Sequence, residues 1–540
     1  MKNLFLLGFL LFIAFTKINA QLISYEKIDS FTISELQTKV TNLGFDALIT
    51  PEYPVDLYRV IHNTEYKNGM TEISGLLAIP AGTVCKAPLI AYQHGTTVRK
   101  LGVPSYNSGE KNIALFFASE GSVVCASDYI GLGSSTVDLH PYMHAYSQAH
   151  STINLLRSVK SLNSELSLNL GNQLFLFGYS QGGFATAAVA KYIETLYSEE
   201  FNVTAAVPMS GPYNMAGAQF EMVNSGLPYA TPGYLPYVIL SYQSMYGNLY
   251  NEFSDIFKSP YDSLMPYHII GHNYGFGTIN PLCTPSPIDM IKDSVLNVIN
   301  TDINHPFRQD LQDNDFLDWT PETPMKLIYC TGDDQVSYLN GVIADSVWNA
   351  NGANHIEGEN WGNYDHGGCF QFALISGKQF LESYFNHGVP IFIEYDENNN
   401  SYTVNVADDD IANYDVLWSD QSTGRSISNI EPGTSYVVSL THKTNGCHNS
   451  KSFKLNNVLA INDLEANMVF DVFPNPANKV VNVSFTGAAK DLYIVDVLGK
   501  IVHSQTLSEG NTKVEISKLN KGIYFVGMNG VKSKRKLVVE

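Results

Sequence analysis

The chain has 540 residues, a hydrophobic fraction of 44% and a formal net charge of −20. This length exceeds what one compact core usually supports, so we expect two or three domains. The negative charge argues against binding to nucleic acid or to anionic membrane surfaces, because both attract clusters of Lys and Arg.

The first twenty residues are predicted to be a signal peptide. Lys2 supplies a positive start, an apolar run follows from Leu4 to Phe15, and Ala20 is the small residue that cleavage requires. The run is shorter than the roughly 18 apolar residues of a membrane-spanning helix. We therefore predict export without stable membrane insertion, and an N-terminal anchor is the alternative.

Six cysteines lie in the chain, and in an exported protein they can form disulfides. Their pairing cannot be deduced from the sequence. The sequence has no CxxC pair and no Cys/His spacing of the zinc-binding type, so we predict no metal site and no cofactor. The cysteines are Cys85, Cys125, Cys283, Cys330, Cys369 and Cys447.

Residues 55–385 alternate strand-like and helix-like segments, which favours an α/β fold with a mostly parallel sheet. Residues 212–324 interrupt this alternation with a helical segment rich in Tyr, Pro and Gly. We predict that it forms a cap over the catalytic face, and a helical insertion with no part in binding is the alternative. The predicted strands are 88–92, 122–126, 173–177 and 325–329, and two predicted helices are 149–162 and 183–197.

Two polar loops follow the first two predicted strands. The segment from Gln93 to Thr97 lies where an oxyanion-binding loop is expected, and the backbone N–H of Thr96 is the predicted donor. His94 then shapes the loop. Asp128 follows the second strand but precedes the candidate nucleophile in the chain, so we expect it to make structural hydrogen bonds.

The sequence Gly178-Tyr179-Ser180-Gln181-Gly182 follows the third predicted strand and leads into a helix rich in small residues. A G-x-S-x-G match is weak by itself, but this context predicts a nucleophile elbow with Ser180 as the nucleophile. The backbone N–H of Gln181 is the second predicted oxyanion donor. A glycine-rich turn with a surface serine is the structural alternative.

A serine nucleophile needs a histidine base and an orienting carboxylate, which follow the serine in a sheet of this type. Asp333 and Asp334 come directly after the fourth strand, and we choose Asp333 because it is nearer the strand end. Asp334 is the alternative, and the aspartate not used is expected to cap the next helix. His366, in a loop before a final helix at 370–385, is chosen over His355 as the base.

The region after residue 385 changes to short alternating strands. We predict a catalytic domain over 21–388, a small β-sandwich-like domain over 389–458 and a third, β-rich domain over 466–540. The loop 396–400 lacks the glycine and the glutamate of an EF-hand, so we interpret it as a turn.

Residues from about 50 to 385 resemble the secretory lipase and esterase branch of the α/β-hydrolases, on the motifs around Thr96, Asp128, Ser180, Asp333 and His366. The resemblance implies a doubly wound sheet with a helical cap, a Ser180–His366–Asp333 triad and ester hydrolysis through an acyl-enzyme. One departure is Cys330, where related hydrolases usually carry glycine.

Residues 466–540 resemble the C-terminal sorting domain of type IX secretion, on the segments 473–477, 496–500 and 519–524 and a basic tail near 532–536. This resemblance implies export through the type IX machinery to the cell surface or the medium. We therefore predict a secreted serine esterase or lipase. There are two competing hypotheses: a serine peptidase of the same fold and an inactive surface-binding protein.

Overall fold

A computed structural model of the chain describes residues 22–454 and 470–539. Short gaps lie at residues 47, 107, 354, 397–398, 407–408, 432–433, 474–476, 486–489, 497–500, 508–509 and 529–534. The predicted signal peptide lies outside the described residues, as do parts of the sorting motifs and of the loop 396–400. No helix in the described part of the chain is long and apolar enough to cross a membrane.

The largest sheet has nine strands and carries the candidate site. Its first three strands pair antiparallel, whereas the six that follow pair parallel with one another. The strands are β1 (Leu22–Phe31), β2 (Val55–Tyr66), β3 (Gly69–Pro80), β4 (Ala87–Gln93), β5 (Val123–Ser127), β6 (Leu170–Tyr179), β7 (Val203–Met209), β8 (Met325–Tyr329) and β9 (Ile356–Asn360). Their order across the sheet is β1-β2-β3-β5-β4-β6-β7-β8-β9.

Helices cover both faces of this sheet, which confirms the predicted doubly wound α/β fold. They are α1 (Ile33–Leu43), α2 (Lys111–Ser119), α3 (Ala145–Ser161), α4 (Gln181–Leu196), α5 (Phe220–Val223), α6 (Tyr234–Tyr246), α7 (Phe253–Ile256), α8 (Tyr261–Ile269), α9 (Phe276–Ile279), α10 (Asp293–Thr301), α11 (Pro306–Asp313), α12 (Leu339–Ala350) and α13 (His366–Glu382). Helices α3, α4 and α12 share one core with the sheet, and α1, α2 and α13 share the other.

Between β7 and β8 the chain leaves the sheet and forms the helices α5 to α11. We call residues 212–324 the insertion. The predicted helical character of this segment is correct, and its helices pack into the same core as α3 and α4. The insertion is thus part of the folded body beside the sheet.

The three predicted helix starts are all too late: α4 begins at Gln181 instead of 183, and the other two are four residues off. In those two cases a capping residue explains the difference. Helix α3 begins at Ala145 instead of 149, because the His144 ring accepts a hydrogen bond from the Ser147 N–H. Helix α13 begins at His366 itself instead of 370, because the Asp365 carboxylate accepts from the Gly368 N–H at 2.7 Å. His366 therefore lies in the first helical turn and not in a preceding loop.

Four small sheets follow the nine-stranded sheet and its helices. Two three-stranded sheets, β10-β11-β13 and β12-β14-β15, come first, and β16-β17-β20 and β19-β18-β21-β22 follow. Their strands are β10 (Ile391–Asp396), β11 (Ser401–Val406), β12 (Tyr414–Trp418), β13 (Ser426–Ser428), β14 (Ser435–His442), β15 (His448–Lys454), β16 (Phe470–Phe473), β17 (Val480–Phe485), β18 (Lys490–Asp496), β19 (Ile501–Leu507), β20 (Gly510–Glu515), β21 (Gly522–Met528) and β22 (Arg535–Val539). A disulfide between Cys85 and Cys447 links the first pair of sheets to the nine-stranded unit.

Candidate active site

Ser180 occupies a strained turn between β6 and α4. Its backbone has φ 61° and ψ −121°, a left-handed region that costs a non-glycine residue on the order of 1–3 kcal/mol. The turn is held because the Ser180 N–H donates to the carbonyl oxygen of Met209 at 2.9 Å. A Cβ at Gly178 or Gly182 would overlap neighbouring backbone oxygens, so both flanking positions must be glycine. This is the strand–turn–helix geometry of a nucleophile elbow.

Asp333 and His366 meet at the same edge of the sheet. The Nδ1–H of His366 donates to Asp333 Oδ2 at 2.7 Å, and both side chains are buried. The other carboxylate oxygen, Oδ1, accepts from the backbone N–H groups of Gln335 and Val336 at 3.0 and 2.8 Å. Because a carboxylate only accepts, Nδ1 carries the hydrogen, and Nε2 is the nitrogen that can act as a base.

Asp334 makes a different contact from the one expected for it. Its Oδ1 accepts from the backbone N–H of His366 at 3.2 Å, at the start of α13. The next helix along the chain is α12, and its N-cap residue, Tyr338, makes no side-chain capping bond. Asp334 therefore supports the helix that carries His366, through the backbone and not through the ring.

The other candidates from the sequence lie in other surroundings. His355 is exposed before β9, and its Nε2 lies 3.1 Å from the carbonyl oxygen of Pro321. His94 contacts the Gly95 carbonyl oxygen through Nδ1 at 2.8 Å. Asp128 is fully buried and accepts from the Ser74 hydroxyl at 2.6 Å and from the Ser105 N–H at 3.0 Å. The contacts of Asp128 are thus structural hydrogen bonds.

A disulfide between Cys330 and Cys369 ties the two segments that supply Asp333 and His366. Cys330 follows β8, three residues before Asp333, and Cys369 lies one helical turn after His366. The bond closes a sequence separation of 39 residues. In the chain-entropy model a loop of this length contributes roughly 3–4 kcal/mol by restricting the unfolded state. It restrains Asp333 and His366 relative to each other.

The two candidate oxyanion donors follow neighbouring strands of the sheet, β4 and β6. Thr96 follows β4, and its hydroxyl lies 3.2 Å from the Tyr142 hydroxyl. Gln181 is the first residue of α4, where backbone N–H groups have no partner within the helix. The helix N-terminus also carries a partial positive charge, which favours an anion there. Gln181 is fully buried, whereas Thr96 is partly exposed.

A pocket lined mainly by the insertion extends from Ser180, and it encloses about 810 Å³ of empty space, including space that is open to solvent. Most of its lining is aliphatic or aromatic, and its few polar contributors include Ser180, Gln219 and Gln335. Pockets with a mostly apolar lining bind ligands of low polarity. The apolar lining includes Val238, Ile239, Leu296, Ile299, Phe307 and Leu311, all from the insertion.

The insertion is also bonded to the loop that carries Asp333. The Tyr229 hydroxyl donates to the carbonyl oxygen of Gln335, and Gln219 Nε2 donates to the same oxygen at 3.0 Å. The Tyr234 hydroxyl donates to Gln335 Oε1 at 3.0 Å. Sequence reasoning missed Gln219 and Gln335, because single polar residues in loops carry no spacing signal. Within the described residues no group of three or more His, Cys, Asp or Glu could hold a metal ion.

Comparisons with known proteins add to this geometry. Residues 112–367 match the secretory lipase family, and residues 471–540 match the secretion system C-terminal sorting domain. A comparison with curated protein sequences gives no match. Among solved structures, the chain is similar to a protein from Legionella pneumophila that has been proposed to be a hydrolase, with 27% identity and a TM-score of 0.63 over 67% of this chain and 98% of that one.

Two further structures are similar to the same part of the chain. The rice cell wall degrading esterase LipA from Xanthomonas oryzae has 26% identity and a TM-score of 0.60 over 67% of this chain and 99% of that one. Lipase A from Candida antarctica has 17% identity and a TM-score of 0.53, over 68% of this chain and 83% of that one. The similarity to lipase A from Candida antarctica, at this low identity, shows a shared fold and nothing more.

Proposed function

We propose that this chain acts through an acyl-enzyme on Ser180. It is an α/β-hydrolase of the secretory lipase and esterase type, a carboxylic-ester hydrolase that carries a C-terminal secretion sorting domain. The observation that supports this mechanism best is the strained Ser180 turn at the same sheet edge as the buried His366–Asp333 pair. We assign Ser180 as nucleophile, His366 as base and Asp333 as the acid.

The proposed reaction has two steps. His366 Nε2 takes the proton of the Ser180 hydroxyl as its oxygen attacks the ester carbonyl, and Asp333 holds the imidazole in the required tautomer. The backbone N–H groups of Thr96 and Gln181 stabilise the oxyanion. The alcohol leaves with the proton from His366, and a water molecule activated by the same ring then releases the acid.

The mechanism is tested by labelling the full chain with a fluorophosphonate, which reacts much faster with an activated serine than with an ordinary one. We expect covalent modification of Ser180, located by mass spectrometry, and faster turnover of 4-nitrophenyl esters than of the matching 4-nitroanilides. Absence of labelling at Ser180 would favour the inactive surface-binding alternative. Amide hydrolysis faster than ester hydrolysis would favour a peptidase.

We further propose that the acyl group of the substrate lies in the apolar cavity, with residues 212–324 as the cap. Leu311 lines this cavity from α11 and is buried. Leu311→Trp should exclude about two methylenes, at about 0.8 kcal/mol each, and so lower kcat/KM for a decanoate ester roughly tenfold relative to a butyrate ester. Leu311→Met is the control that conserves volume. Equal losses for both esters in the Trp variant would contradict this placement.

The two matches indicate a secreted or cell-surface protein. We propose that residues 1–20 are a removed signal peptide and that residues 466–540 direct export by the type IX machinery. The units between them are then the catalytic domain over 21–388 and a β-sandwich-like domain over 389–458. The Cys85–Cys447 disulfide is a second covalent link between these two units, in addition to the continuous chain.

A further inference from the structure

The side chain of Gln181 is held by a buried histidine that lies outside the proposed triad. Gln181 Nε2 and His140 Nε2 are 2.8 Å apart, and both residues are almost completely buried. Gln181 directly follows Ser180, and its backbone N–H is one of the two proposed oxyanion donors. Its Oε1 has no hydrogen-bond partner among the described residues. The bond to His140 is therefore the polar contact that orients this side chain.

The two contacts of the His140 ring determine which of its nitrogens carries the hydrogen and which one accepts. Nδ1 lies 2.7 Å from the carbonyl oxygen of Ile130, which can only accept, so Nδ1 carries the hydrogen. Nε2 must then accept, and it receives a hydrogen from the Gln181 amide group. Burial lowers the pKa of His140 to about 3, so the ring stays neutral and keeps this acceptor at ordinary pH.

The backbone of His140 is fixed by the insertion on both sides. Its N–H donates to His272 Nε2 at 2.9 Å, and its carbonyl oxygen accepts from the Ser241 hydroxyl at 2.8 Å. His272 is itself buried and contacts the Val98 carbonyl oxygen through Nδ1 at 2.9 Å. The hydrogen bonds thus run from the insertion through His140 to the residue after Ser180.

We propose that His140 is a positioning residue for the oxyanion hole: it holds Gln181, and the insertion holds His140. This inference rests on the proposed serine mechanism. Oxyanion donors act by being aligned before the charge develops, and small displacements at a catalytic site cost rate. The insertion then contributes to the chemical step as well as to substrate binding.

The test is a double-mutant cycle with His140→Leu and Gln181→Leu in the full chain, assayed with 4-nitrophenyl butyrate. Each single variant should lower kcat about 10- to 100-fold with KM changed by less than about twofold, because the contact matters in the transition state. The double variant should lose no more than the worse single one, because the two residues act as a unit. His140→Gln keeps an acceptor near the Nε2 position and should recover part of kcat.

His150→Leu is the matched control. His150 is also fully buried, with its ring bonded to the Tyr146 carbonyl oxygen and the Tyr197 hydroxyl, both at 2.9 Å. It should lower the melting temperature and leave kcat within about threefold. Near-native kcat in Gln181→Leu, or independent losses that multiply in the double variant, would overturn the inference. If His140→Leu does not fold, His140→Phe, which keeps a ring but has no acceptor at the Nε2 position, takes its place in the cycle. An active Ser180→Ala would instead refute the proposed function itself.

Discussion

Replacing Ser180 with alanine is expected to lower kcat for ester hydrolysis by about 10⁴- to 10⁶-fold, with little change in substrate binding. The reason is that the hydroxyl oxygen forms the acyl bond, so in the variant His366 and the oxyanion donors have no nucleophile to activate or stabilise. Ser180 is 6% exposed, and alanine is smaller, so the substitution should leave the fold intact. The measurement is the steady-state turnover of 4-nitrophenyl butyrate, with circular dichroism as a check on folding.

Ser151→Ala is a suitable control for this variant. Ser151 is a fully buried serine on α3, and its hydroxyl donates to the Ser147 carbonyl oxygen at 2.7 Å. Its loss should affect stability by about 1 kcal/mol and leave turnover unchanged. Turnover by Ser180→Ala within about tenfold of the native rate would show that another group carries the reaction.

The elbow could be predicted from the sequence because its signals are local. Glycines two residues before and after Ser180, an apolar strand before it and small residues after it all lie within about twenty residues. The end of β8 was equally predictable, and the strand found there, Met325–Tyr329, has the predicted bounds. Short-range patterns thus predict which element supplies each candidate side chain.

Contacts between distant segments could not be predicted in this way. The pairing of Cys85 with Cys447 spans 362 residues, and nothing near either cysteine indicates its partner. The bond between His140 and Gln181 depends on how the loop after β5 crosses the elbow, which no spacing encodes. Such features become visible only once the tertiary structure brings the segments together.

The choice between Asp333 and Asp334 also depends on tertiary contacts, and it leads to a prediction that separates the two residues. Asp333→Asn should lower kcat about 10³- to 10⁴-fold, whereas Asp334→Asn should lower it less than about tenfold. The Oδ1 of Asp333 accepts two backbone N–H groups, from Gln335 and Val336, so an asparagine must keep its oxygen at that position. Its NH₂ group then faces His366 Nδ1, which can no longer carry a hydrogen.

The imidazole is thereby forced to carry its proton on Nε2, the atom that must accept the serine proton, so the base is lost while the shape of the site is kept. Among the described residues, Asp334 accepts a hydrogen bond from the backbone N–H of His366, and an asparagine oxygen can accept the same bond. Steady-state kinetics of both variants, with thermal unfolding to verify their stability, separates the two roles. A larger loss in Asp334→Asn than in Asp333→Asn would transfer the acid role to Asp334, and equal losses would mean that both carboxylates act on His366 together.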